Sequence, residues 1–149
     1  MHPWNKSPKT EESGRASLEF LVVSVALLIP VIFLGMSLSS ISNASLAAET
    51  AARNAARVFV KETSVNVAAK RAETAVMVAL DNHGIDQVTA VSRTCSKTPC
   101  LSPGSVVAIR VGVTATLFST DLLPGFLGEP SVVVFGEASS MVSIFGGTP

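Results

Sequence analysis

The chain has no tyrosine, and its one tryptophan, Trp4, lies among the first residues. With so few aromatic side chains there is no stacking surface for bases or sugars. Histidine is nearly as scarce: His2 near the start and His83 in mid-chain. No Ser/His/Asp or Cys/His catalytic arrangement can be assembled from those two positions. Lys+Arg and Asp+Glu both number 11, for a formal net charge of +0, so there is no overall field to recruit nucleic acid or an acidic partner. No phosphate-cradling glycine loop is present, because Gly125-x-x-Gly128 reads as a turn and Gly146-Gly147 is terminal. The only adjacent carboxylates are Glu11 and Glu12, so glycosidase-like chemistry has no candidates. Two cysteines without neighbouring histidines leave zinc short of four ligands. These absences lead to the expectation of a non-enzymatic protein without cofactor, metal, nucleic-acid partner or small-molecule substrate.

What the chain does have is a long uncharged run. From Phe20 to Ala48 there is no charged residue, and Phe20–Leu38 is mostly aliphatic. A helix rises about 1.5 Å per residue, so about 19 such residues come close to the ~30 Å of a bilayer's hydrocarbon core. A buried helix in a water-soluble protein would show a polar face, whereas this one offers only Ser24, Ser37 and the small Gly35. The reading is a single transmembrane helix in the lipid bilayer. Pro30 lies inside it; such a residue breaks helices in water but is tolerated in membranes, where it kinks them.

At the lip of this helix stands a carboxylate, Glu19. Acids at such positions are costly and tend to have partners. The sequence reads Gly14-Arg15-Ala16-Ser17-Leu18-Glu19-Phe20: a glycine, four residues, then an acid and an aromatic leading into the apolar run. This resembles the processing site of type IV prepilins. The run from Ala16 to Phe20 resembles more narrowly the TadE-like proteins of tight-adherence (Flp) pilus systems. The resemblance covers about residues 14–60, and the rest only by architecture. It implies cutting between Gly14 and Arg15 by a prepilin peptidase, probable methylation of the new N-terminus at Arg15, and docking of Glu19 and Phe20 against other pilin-like subunits and the pilus assembly machinery. The chain departs from the major pilins of that system in carrying Phe20 where they usually have tyrosine, and in its greater length. That implies a minor or initiating subunit.

Residues 1–14 are polar and carry Pro3 and Pro8 without apolar periodicity, so they read as a disordered leader. Lys6, Lys9 and Arg15 precede the span and favour a cytoplasmic N-terminus, although Arg53 and Arg57 follow it and the bias is slight. Localisation is then the cytoplasmic membrane, single-pass, with the C-terminal domain external. Two alternatives stay open. Ser42-Asn43-Ala44 is a small-x-small triplet that signal peptidase could cut, releasing a soluble domain that begins at Ser45. The chain could also be an unprocessed single-pass anchor of another envelope complex.

Beyond the span the helix continues. Ser40, Ala44, Ala48, Ala52 and Ala56 recur every fourth residue, and beside them run Glu49, Arg53, Arg57 and Lys61. Glu49 four residues before Arg53 is the favourable order for a helical ion pair, worth a few tenths of a kcal/mol. The alanine row allows close helix packing, either on the chain's own sheet or on neighbouring pilin-like helices. The β-branched stretch around Val58–Val67 predicts a kink or break near 62–64, with Thr63 or Ser64 capping a second helix. Val65, Ala69, Ala72, Val76 and Leu80 then follow helical spacing, and Gly84 is the natural left-handed terminator, with His83 as a C-terminal cap.

The last third changes period. Ile85–Thr94 is a short mixed strand; Val107, Ile109, Val111, Val113, Ala115 and Leu117 alternate with small or polar residues, the clearest strand; Val132–Ile144 is a third, with Gly136 a possible bulge. The Val65–Leu80 helix is the expected cover for their apolar face. Cys95 and Cys100 flank a turn in an external domain and read as a hairpin disulfide. The loop 119–130 carries Leu122, Leu123, Phe126 and Leu127, which either fold back on the sheet or meet a membrane or partner. The expected architecture is α+β: leader 1–14, transmembrane helix 15–42, amphipathic helical region 43–84, and a small antiparallel three-stranded sheet over 85–149, a pilin-like arrangement.

Overall fold

In a computed structural model, the structure describes residues 12–117 and 130–145, with side chains from Arg15 onward. The two alternatives for the loop 119–130, fold-back on the sheet or contact with a membrane or partner, turn on residues 119–129, which lie outside the described residues. The chain divides into two compact units, meeting between Met36 and Ser37. Helix α1, Glu12–Phe59, contributes to both and contains Pro30. Among the described residues the first unit consists of this helix, up to Met36.

The second unit contains the rest of α1, then α2 (Val65–Asp81), β1 (Val88–Cys95), β2 (Val106–Thr116) and β3 (Ser131–Met141). The strands form an antiparallel meander in the order β1-β2-β3. Residues 107, 109, 111, 113 and 115 of β2 are buried, so the period of two in the sequence becomes one apolar face.

Both helices cover that face. The sequence singled out the Val65–Leu80 segment as the cover, but α1 supplies most of it. Ala44, Ala47, Ala48, Ala51, Ala52, Ala55 and Ala56 are all buried, as is Phe59 at the helix end. Spacings of three and four keep these residues on one stripe, and the opposite stripe carries the exposed Glu49, Arg53 and Arg57. Methyl-sized side chains let the helix axis come unusually near the strands. The limit is reached at Gly136 in β3, where a Cβ would lie 2.6 Å from the Ala48 carbonyl oxygen and nearer still to the Ala48 and Glu49 backbone. Gly136 is therefore not a bulge: β2 and β3 pair in unbroken register through Val111↔Gly136. The irregularity lies instead in β1, between Val88 and Ala90.

Between the helices the chain turns through Val60–Ser64, as the β-branched composition requires. Ser64 holds the N-cap position of α2 with an extended backbone (φ −121°, ψ 131°), yet its hydroxyl makes no capping bond. The other end of α2 closes as expected. Gly84 takes φ +67°, Ile85 N–H donates to the Leu80 carbonyl at 3.1 Å, and Gly84 N–H donates to the Asp81 carbonyl at 2.9 Å. This pair of bonds satisfies the carbonyls of the last turn.

Candidate functional site

The segment Arg15–Phe20 is fully helical, and every residue in it is exposed. Glu19 lies one turn along from Arg15 but makes no ion pair with it; among the described residues Glu19 has no partner. Phe20 is 74% exposed. From Leu18 to Leu38 each large apolar side chain is between 46% and 74% exposed. Burying a side chain of this class is worth about 1.5–3 kcal/mol, so leaving this many in water forgoes tens of kcal/mol. The helix is long and apolar enough to cross a membrane. A bilayer satisfies such a surface, since an α-helix meets all its backbone hydrogen bonds internally. Gly14 lies within α1; its surroundings fall outside the described side chains.

The other residues singled out in the sequence lie in the second unit. Ala44, Ala48, Ala52 and Ala56 are at most 3% exposed and belong to the core beneath the sheet. Of the two roles open to the row, packing on the chain's own sheet is the one seen, and it leaves these methyls no surface for a neighbouring helix. Cys95, at the end of β1, is joined to Cys100 by a disulfide across Cα atoms 5.3 Å apart, and no free cysteine remains. The bridge lies in the turn between β1 and β2, where Ser96 N–H donates to the Val106 carbonyl and Val106 N–H to the Ser96 hydroxyl. The expected helical ion pair forms, with Arg53 3.4 Å from Glu49. A second joins Arg71 to Glu62 at 2.6 Å.

Three features were not read from the sequence. Asn43 on α1 faces the end of α2: its amide donates to the His83 carbonyl at 3.4 Å, and its carbonyl oxygen lies 3.3 Å from His83 Nδ1. The ring of His83 thus engages α1, and no bond from it to a carbonyl of α2 is present among the described contacts. Ser40 donates its hydroxyl to the Thr116 carbonyl, so two side chains just past the apolar run fasten α1 to the strands and to α2. Finally, on the outer face of the sheet Phe135 lies over Gly112, and the Arg110 guanidinium stands 4.3 Å from its ring centroid. No signal of period or composition marks these pairs; they depend on which elements the fold brings together.

A polar cleft of about 420 Å³ opens beside Asn43, lined also by Ser40, Asp86, Gln87 and Thr114. Its Thr114 hydroxyl is taken up by Thr89 at 2.8 Å. Among the described residues no three of His, Cys, Asp or Glu converge as a metal site would require. Compared with protein-family models, with curated proteins and with solved structures, the chain finds no match.

Proposed function

We propose that the chain is a TadE-like minor pilin or pseudopilin: a non-enzymatic, membrane-anchored subunit that takes part in assembling a tight-adherence pilus. The observation that carries this reading is Glu19, five residues beyond Gly14, without a partner among the described residues at the head of an exposed apolar helix. The α+β head, with a long N-terminal helix covering an antiparallel sheet, agrees with a pilin-like layout.

In this reading the N-terminus is cytoplasmic and the head external. A prepilin peptidase cuts after Gly14, freeing an ammonium on Arg15. Glu19 of one subunit then attracts that ammonium on the next as it docks. Two unit charges about 4 Å apart attract by about 4 kcal/mol at an effective dielectric near 20. Desolvation takes back much of that. The pairing therefore sets register and recruitment more than stability. Cleavage after Ala44, the secretory alternative, would sever Ser40, Asn43 and Ala44 from the head they fasten, and this favours the uncut helix.

The test is Glu19→Gln, which keeps the shape and removes the charge. The variant is expected to insert in the membrane as the parent does and to be lost from sheared surface filaments. Wild-type incorporation of Glu19→Gln into filaments would refute the role of the acid.

A further inference from the structure

The charged stripe on α1 is not uniform. Arg53 pairs with Glu49, but Arg57 and Lys61, one and two turns further on, have no ion-pair partner among the described residues. Both border a groove of about 610 Å³ between α1 and α2, lined also by Val58, Ala75, Val78 and the buried Ala79. Arg71 stands on the same rim, its charge already answered by Glu62. Among the described residues no acidic side chain lines the groove. Val78 is 56% exposed, so part of the apolar lining faces solvent. An apolar trough between two helices, with two uncompensated cations at one end, is half of a helix-in-groove contact. Its complement is an amphipathic helix with aliphatic side chains at i and i+4 and carboxylates toward one terminus. A lipid surface fits less well. Membrane-surface helices push large aliphatic or aromatic side chains outward between their cations, whereas the apolar residues described along this groove are only valines and alanines.

We infer that the α1/α2 groove docks an acidic amphipathic helix of a partner protein, with Arg57 and Lys61 selecting its charge and Val58, Ala75 and Val78 receiving its apolar edge. This does not rest on processing at Gly14 or on the role of Glu19, and its failure would leave the proposed function standing.

The test uses the full chain in detergent micelles. The probe is a fluorescein-labelled helical peptide of about 16 residues with leucines at i and i+4 and glutamates toward one end. Anisotropy is expected to saturate, and the affinity to fall about tenfold between low and high salt, because charge attraction at an exposed rim is screened. Arg57→Gln with Lys61→Gln should weaken binding about tenfold or more, and Val78→Asp should abolish it. Arg53→Gln, a change on the paired half of the stripe, should bind as the parent. Circular dichroism melts of the three variants establish that they are folded. Absence of saturation, equal binding of a peptide with lysine in place of glutamate, or unchanged affinity in the Arg57/Lys61 double variant would each overturn the inference. So would displacement of the peptide by phosphatidylglycerol vesicles but not by phosphatidylcholine vesicles, which would make lipid phosphate the occupant, and so would self-association of the chain that the double variant abolishes.

Discussion

The contact between Gly136 and α1 fixes how near the helix lies to the sheet, and Gly136→Ala perturbs it with a single methyl. That carbon would sit 2.6 Å from the Ala48 carbonyl oxygen and closer to two other backbone atoms. Ordinary contact begins near 3.4 Å and the nearest backbone atoms would lie at 2.3 Å, so the helix must retreat by about 1.1 Å, lifting its row of alanines from the strands. Overpacking of this kind costs typically ~1–3 kcal/mol and sometimes more. The obstacle here is helix backbone, which has no rotamer to change, so the upper part of the range applies. Replacing glycine in a strand returns about 0.5–1 kcal/mol through the unfolded state. The net expectation is a loss of about 2–3 kcal/mol, read as a fall of roughly 10 °C in the Tm of the full chain in micelles. Ala48→Gly in the same background should give no rescue, because the clash is with main chain. Gly112→Ala is the contrast: its Cβ would meet Phe135 ring atoms at 2.7 and 3.0 Å, but that ring is half exposed and can swing aside, so the cost should stay below about 1 kcal/mol. A Gly136→Ala melt within about 2 °C of the parent, or a cost no greater than that of Gly112→Ala, would refute this account of the packing.

Two further changes address the head. Ser105 is fully buried and its hydroxyl has no hydrogen-bond partner among the described residues, so Ser105→Ala should be neutral or raise stability by up to about 1 kcal/mol; a loss above about 1 kcal/mol in a denaturant titration would show a partner for that hydroxyl. Cys95→Ser with Cys100→Ser opens a small ring, so unfolding should become easier by about 2 kcal/mol with the sheet retained; collapse of the far-UV spectrum at room temperature would mean that the bridge makes the fold instead of pinning one turn.

The elements were legible where one local signal dominated. The period of two in Val107–Ala115, the glycine stop at Gly84 and the Glu49–Arg53 spacing each depend on neighbours along the chain, and each appears in the structure at the expected residues. What the sequence hid is tertiary. An alanine row has the same pattern whether it meets a strand of its own chain or a helix of another. Only the nearness of Gly136 in β3, far along the sequence, decides that it lies beneath the sheet, and the same fact turns Gly136 from a suspected bulge into the point of closest approach. Thr63 or Ser64 was expected at the cap by residue type, and Ser64 takes the position without a capping bond, because capping also requires the hydroxyl to point inward, which composition does not dictate. Asn43 and His83 were unreadable as a pair because neither has a periodic or charge signature. In the first half of α1 the apolar run was plain, whereas the meaning of Gly14 and Glu19 rests on resemblance and on proposed chemistry between subunits.

That chemistry begins with one peptide bond. N-terminal sequencing of the protein extracted from membranes tests it most directly. The account predicts a chain that starts at Arg15, its α-amino group free or methylated. A membrane-bound chain that still starts at Met1 would contradict it and leave an unprocessed anchor, and a soluble chain that starts at Ser45 would contradict it in favour of a released domain.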